Sequence, residues 1–196
     1  MIFIRQAMEF NDRIVTSLTI FARNCDVRKI DRKTAAEFLD RHHIYGSASC
    51  RYCYGLYQRR ATGSAETELT VSGEPALVAV ATFSNARRWT KGDKVISSYE
   101  WVRYASLEDS RVVGGMGKLL KAFIQDRHPD DIMTYAISSE APDRPRRDGL
   151  PMTEPGNVYR KLGFAEEDRK FFPSRIDDSL SVSIKYRLKL TDWKED

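Results

Sequence analysis

Hydrophobic residues recur along this chain at helical spacing in two stretches and in short apolar or alternating runs elsewhere. Met116, Leu119, Leu120, Phe123 and Ile124 line one face of a helix whose other face carries Lys118, Lys121, Gln125 and Asp126. Ala35, Phe38, Leu39 and His42 share a face of a shorter helix that ends before Gly46. Asp31 stands where it can cap that helix, and Thr34-x-x-Glu37 is a capping-box pattern. Runs rich in aromatic and β-branched residues predict strands at 27–30, 51–59, 76–84, 98–105 and 131–137. A closing pair of strands follows, the last over 180–190 with Val182, Ile184, Tyr186 and Leu188 on one face. The 51–59 and 76–84 strands read as an antiparallel meander, and 85–94 as a loop. Residues 14–21 fit either an added strand or a helix.

The helix beginning near residue 115 is entered through Val112-Val113-Gly114-Gly115-Met116-Gly117. The first turn of a helix has N–H groups without intrahelical partners and carries the positive end of the helix dipole. Glycines let an anion approach that backbone, so strand, loop, glycine turn and helix together predict a phosphate-binding unit. The same glycines also serve a tight turn or close helix-sheet packing.

This segment resembles the acyl-CoA-binding motif of the GNAT superfamily of N-acyltransferases, Q/R-x-x-G-x-G/A, with Gly115 and Gly117 on the small positions and Leu120 on the aliphatic one. Val112 stands where the motif carries Gln or Arg; the register one residue earlier places Arg111 there and Met116 on a small position. Gly156-Asn157-Val158-Tyr159-Arg160-Lys161-Leu162-Gly163-Phe164 is similar to a later motif of the superfamily, a short helix stopped by Gly163 before a strand beginning at Phe164. From Phe38 to Phe164 the chain looks most like a phage-associated branch, related in pattern to Mom-type DNA-modification proteins and to domains linked to homing endonucleases. His42-His43, Gly46, Tyr54-Gly55-Leu56-Tyr57 and Tyr99-Glu100-Trp101-Val102-Arg103-Tyr104 carry that likeness. Where the branch has an Asp after its Tyr-Ala, this chain has Tyr135-Ala136-Ile137-Ser138-Ser139-Glu140, leaving Glu140, Asp143 or Asp148 as substitutes.

The resemblance implies a GNAT-like α+β or α/β fold, a mixed and mostly antiparallel sheet with helices on both faces. It implies acetyl-CoA, or another acyl-CoA, in a cleft between the 98–104 and 131–137 strands. The pyrophosphate would lie on the N–H groups of Val112, Val113, Gly114, Gly115, Met116, Gly117 and Lys118. The pantetheine would pair with backbone around Val102 and Tyr104, with Asn157 touching the cofactor or capping its helix. Attack of an amine on a thioester needs a base and the departing thiolate an acid. Glu100 is the base candidate and Tyr159 the acid. Glu100 is equally readable as a sheet-face charge paired with Arg103, and Tyr159 as core packing. Arg103, His43 and Tyr135 are candidates for contact with the acceptor.

Composition narrows the field without choosing an acceptor. In 196 residues, 41% hydrophobic and 31% charged content is that of a globular chain, read as one domain over 1–196 with residues 1–24 open to being an extra element. No signal-peptide or membrane-spanning pattern occurs, and three cysteines suit reduced thiols, so a cytoplasmic location and no membrane partner are expected. The net charge of +4 permits acidic ligands without demanding them. Arg87, Arg88, Lys91 and Lys94 in one loop, and Arg144, Arg146 and Arg147 in the 138–155 loop, are positioned to touch a nucleic-acid backbone or to be solvated surface. The latter loop, with four prolines, is longer than ordinary connections and fits an active-site or partner-binding role. His42, His43, Cys50 and Cys53 lie close in sequence, but one Cys-x-x-Cys without a second pair favours small buried thiols and no metal.

The leading expectation is an N-acyltransferase acting on an unidentified amine. A Mom-type nucleobase modifier using the same cleft and a non-catalytic nucleic-acid-binding module are the alternatives.

Overall fold

A computed structural model describes residues 18–59, 75–108, 110–139, 156–173 and 180–191. In chain order the elements are β1 (Leu18–Phe21), a 3-10 turn (Ala22–Asn24), β2 (Cys25–Lys29), α1 (Arg32–His42), β3 (Tyr52–Gln58), β4 (Leu77–Phe83) and β5 (Arg87–Lys91). Then come β6 (Lys94–Ser106), β7 (Ser110–Val113), α2 (Gly115–Arg127), β8 (Asp131–Ser139), α3 (Asn157–Lys161), β9 (Ala165–Pro173) and β10 (Leu180–Lys189). The main sheet runs β2-β3-β4-β6-β8-β10-β9, with β5 added to the first part of β6. Every pairing in it is antiparallel except β6 with β8. The expected mixed, mostly antiparallel sheet is therefore the observed one.

Helices cover both faces because each strand of the central half is apolar on both sides. Leu119, Leu120 and Phe123 of α2 bury against Tyr54, Phe83, Tyr99 and Trp101 on one face. Ala35, Phe38 and Leu39 of α1 bury against Cys53, Val80 and Ala105 on the other. Phe123 stacks on Phe83 with ring centroids 3.8 Å apart and meets Tyr54 and Tyr99 edge-on, so one side chain joins α2 to three strands.

The local signals hold with small shifts. Asp31 caps α1 by accepting from the Thr34 N–H at 2.9 Å. Thr34 is inside the helix, where its hydroxyl donates to Asp31, so it is not the cap of a Thr34-x-x-Glu37 box. Gly163, at φ +91°, stops α3 in the left-handed region as expected, and β9 starts at Ala165 rather than Phe164.

Two strands, β5 and β7, differ from the sequence reading, and a third, β1, decides between alternatives it left open. Residues 87–91 form β5, a hairpin with β6, where a loop was expected. The described part of the ambiguous N-terminal segment is a strand, β1, and it pairs in parallel with β7, a strand where only a turn was expected. Arg144, Arg146, Arg147, Glu140, Asp143 and Asp148 lie outside the described residues. Among the described residues no helix is long and apolar enough to cross a membrane.

Candidate active site

The central irregularity of the sheet is where β6 meets β8. Their parallel ladder covers only Ser98–Glu100 against Asp131–Met133, although β6 continues to Ser106 and β8 to Ser139. Beyond Glu100 the two strands part into a wedge. On the other side of β6, Thr82 pairs with Arg103 and Phe83 with Trp101, so Val102 is an extra residue in a bulge that turns the strand just where the wedge begins. Backbone groups facing the wedge need partners from elsewhere. The Trp101 carbonyl finds one in the Thr134 hydroxyl, which donates to it at 3.0 Å from across the gap.

At the end of the wedge α2 begins. Gly114 holds φ +77°, and the first helical bond runs from the Lys118 N–H to the Gly114 carbonyl at 3.0 Å. The N–H groups of Gly115, Met116 and Gly117 precede that bond and lack intrahelical partners. A Cβ on Gly115 would lie 2.7 Å from the Val112 side chain and 2.9 Å from the Tyr104 hydroxyl, so this position is glycine for packing. One on Gly117 would lie 3.3 Å from Leu162, at the end of α3.

The neighbours of this turn redistribute the expected donors. Val112 and Val113 pair with Ile20 and Phe21 of β1, and the Val112 side chain packs on the core. That is a physical reason for a valine at a position where the motif has a polar residue. The Lys118 ammonium donates to the carbonyls of Ala22 and Cys25, and its N–H is spent inside the helix. Gly114, Met116 and Gly117 remain as the open part of the turn, with Gly115 buried among them.

Tyr159 of α3 reaches the wedge from below. Its ring meets Trp101, Phe164 and Tyr186. Burial raises its phenol above the usual value, opposed by a hydrogen bond with Thr134 and the charge of Arg103. It is therefore protonated at neutral pH. The Thr134 hydroxyl, which bonds the Trp101 carbonyl, thus also neighbours the phenol. Thr134 is the member of the site that sequence reasoning missed, and only the parting of β6 and β8 reveals it. Tyr104 lies beside Gly115, its phenol pushed up to about 12 by burial. Asn157 opens α3, half-buried.

Glu100 is the last residue of β6 to pair with β8, half-buried at the apex of the wedge, its N–H donating to the Ser84 hydroxyl. The alternative of a Glu100–Arg103 ion pair is not what Arg103 does: its guanidinium donates to the Val102 carbonyl at 2.9 Å and to that of Gly46 at 3.4 Å. The Gly46 contact draws the loop after α1 to the bulge. In that loop His43 accepts from the Tyr45 N–H through Nδ1 at 3.1 Å, and burial, then the Arg103 charge, hold its pKa below the ordinary imidazole value. His43 is thus neutral at pH 7 with its proton on Nε2, a donor rather than a base. Tyr135, half of it exposed, stands on the part of β8 beyond the ladder. His42 instead meets Phe38 at a tilt, ring centroids 4.6 Å apart, while Cys50 and Cys53 bring their sulfurs to 3.5 Å. Among the described residues no three metal-ligating side chains converge.

No family model and no curated protein matches the chain. Solved structures do. Arabidopsis thaliana NAA60 in complex with acetyl-CoA superposes with a TM-score of 0.54 at 11% identity, over 84% of this chain and 99% of that one. The spermidine/spermine N-acetyltransferase SpeG from Vibrio cholerae gives 0.52 at 8% identity, over 86% and 94%. The ribosomal-protein-S18-alanine N-acetyltransferase from Escherichia coli gives 0.50 at 14% identity, over 88% and 97%. At these identities the likeness is one of fold: the chain has the GNAT-type architecture.

Proposed function

We propose that this protein is an N-acyltransferase that uses acetyl-CoA, with the cofactor lying in the wedge between β6 and β8. The observation that carries the reading is the conjunction of a ladder that stops at Glu100 with a helix whose open first turn lies at the end of the gap. The donor set fits the group. Strand edges freed by the wedge match the amides of a pantetheine arm, and the N–H groups of Gly115, Met116 and Gly117 match a pyrophosphate. That similarly folded structures include one in complex with acetyl-CoA supports the same choice. Bound there, the cofactor supplies an acetyl thioester.

The residues of the chain do the rest. The bulge at Val102 turns backbone toward the thioester, and Glu100 at the apex takes the proton of the attacking amine. Tyr159, kept protonated by burial, gives its proton to the leaving sulfur. Arg103 and His43 line the approach of the acceptor, His43 offering a hydrogen-bond donor at Nε2. The N-acetyltransferases of this fold include ones for a ribosomal-protein alanine and for spermidine or spermine, so fold alone leaves the amine open.

Calorimetric titration with acetyl-CoA tests the reading, with a dissociation constant in roughly the micromolar range expected. Absence of heat at millimolar cofactor would sink it and leave the non-catalytic module. Gly117→Leu, which crowds Leu162 and the open turn, should weaken binding at least about a hundredfold with the far-ultraviolet spectrum retained. Tyr159→Phe should bind normally but transfer about a hundredfold more slowly.

A second reading, a Mom-type nucleobase modifier, is favoured by one observation: Arg87, Arg88, Lys91 and Lys94 stand together on the β5–β6 hairpin beside a partly exposed Trp89. Nucleoside masses from the DNA of cells expressing the protein distinguish it from transfer to a small amine or a peptide.

A further inference from the structure

Away from the wedge, on the α1 face of the sheet, two thiols meet. Cys53 is buried in β3, and Cys50 lies just before that strand in an irregular segment, half-buried. Their sulfurs are 3.5 Å apart. Cys50 also lines a cavity of about 160 Å³, walled by Arg32 and Ala36 of α1, by Ala48, and by Thr82 of β4. The Thr82 hydroxyl oxygen is fully buried and has no hydrogen-bond partner among the described residues. Arg32 has no ion pair among the described residues and stands close enough for its charge to act on Cys53, against that of Asp31 beside it. The cavity thus has a sulfur in its wall, a second sulfur behind the first and a cation at its side.

We propose that Cys50 and Cys53 form a reactive dithiol: Cys50 exchanges with a small carboxylate-bearing disulfide seated in this cavity, and Cys53 then displaces it to close an intramolecular disulfide. In the first step the Cys50 thiolate attacks one sulfur of the small disulfide, whose S–S bond breaks, and the departing thiolate takes up a proton. In the second, Cys53 gives its proton to water and attacks the Cys50 sulfur, expelling the other half of the small disulfide as a thiol. Two protein thiols lose two electrons in all, and one small disulfide becomes two thiols. A disulfide bond of about 2.05 Å asks the sulfurs to close by about 1.5 Å, which side-chain rotation and the irregular segment bearing Cys50 can supply. Cys53 is buried where Cys50 is half-buried, and burial, followed by the hydrogen bond the two sulfurs share, pushes the Cys53 thiol up to about 12, so ring closure is the slower step and the mixed disulfide accumulates first. Cys25 has neither feature: it is fully buried and its thiol is turned to the Phe21 carbonyl. None of this depends on the cofactor reading.

The test is intact-mass analysis of the folded protein at pH 8 with oxidised glutathione. The wild type should first gain one glutathionyl group, then lose it and settle two hydrogens below the starting mass, with the bond mapped to Cys50 and Cys53. Cys53→Ser should stop at the mixed disulfide, and Cys50→Ser should stay unmodified. Arg32→Gln should slow the first step about tenfold with oxidised glutathione but not with the uncharged hydroxyethyl disulfide. Cys50→Ser reacting like the wild type, glutathionylation of Cys25, or a mixed disulfide as long-lived in the wild type as in Cys53→Ser would each overturn the proposal.

Discussion

The two halves of the sheet are built differently. From β2 to β6, strands are sandwiched between α1 and α2, and fully buried apolar side chains such as Leu39, Leu56, Phe83 and Phe123 hold them. From β8 to β9, only one face packs on the core, through Ile132, Val182, Ile184 and Tyr186. The opposite face carries Asp131, Lys185, Arg187 and Glu167, joined in ion pairs. β9 is an edge strand with nearly every residue exposed and charges at Glu166 to Lys170, chemistry that discourages pairing with another chain. Stability is therefore concentrated in the first half, and the wedge opens where the two meet.

The largest expected effect tests that asymmetry directly. Phe123→Ala removes the ring that joins α2 to three strands and should cost about 3 to 5 kcal/mol. Phe171→Ala in β9, where the ring is 57% exposed, should change stability by less than about 0.5 kcal/mol. Urea unfolding of both variants checks the contrast, and equal losses would show that the edge of the second half carries as much of the fold as the first.

Next comes the charge on the ion-paired face. Asp131 is fully buried, its Oδ1 accepting from the Ser98 hydroxyl at 2.6 Å and from Arg187 at 2.9 Å. Removing Arg187 strands a buried carboxylate, so Arg187→Met should cost about 3 kcal/mol, and Arg187→Met with Asp131→Asn should recover most of it. Burial already raises the Asp131 pKa, and loss of Arg187 raises it further. An acid whose folded pKa is raised binds its proton more readily when folded, so stability grows as pH falls through that value. The deficit of Arg187→Met relative to the wild type should therefore shrink from pH 7 to pH 5. A deficit independent of pH would place the loss in packing instead.

The same contrast explains what the sequence revealed. The first half, α2 and the strand over 131–137 were readable because burial on one or two faces imposes apolar periodicity, as in Leu119, Leu120 and Phe123. β5 was not: Arg87 and Arg88 are exposed and Trp89 partly so, leaving a strand without an apolar face. Its available signal was the turn, Gly92-Asp93 between Trp89-Thr90-Lys91 and Lys94-Val95-Ile96, with Gly92 at φ +56°. The β1–β7 pair was hidden because parallel pairing between residues some 90 positions apart leaves no local mark. In the site, the glycine turn and Tyr159 were legible as motifs, whereas Thr134, the Arg103–Gly46 bond and the tether from Lys118 to the 3-10 turn depend on contacts distant in sequence.

The smallest predicted effect asks whether the first half owes anything to charge. Asp126 of α2 pairs with Lys29 of β2 at 2.5 Å and accepts from the Tyr54 hydroxyl at 2.7 Å, binding the helix to two strands at its far end. The Lys29 bond, then the Tyr54 bond, lower the Asp126 pKa. A carboxyl with a depressed folded pKa adds stability above its unfolded value, about 3.9, and loses it as pH falls through the folded one. The Lys29 side chain is 67% exposed and the pair is accordingly screened, so Asp126→Asn should cost only about 1 kcal/mol at pH 7. Urea midpoints of wild type and variant should converge below about pH 3. A gap that survives there would show that the carboxylate matters by shape alone, and that charge contributes nothing to holding α2 on the stronger half of the sheet.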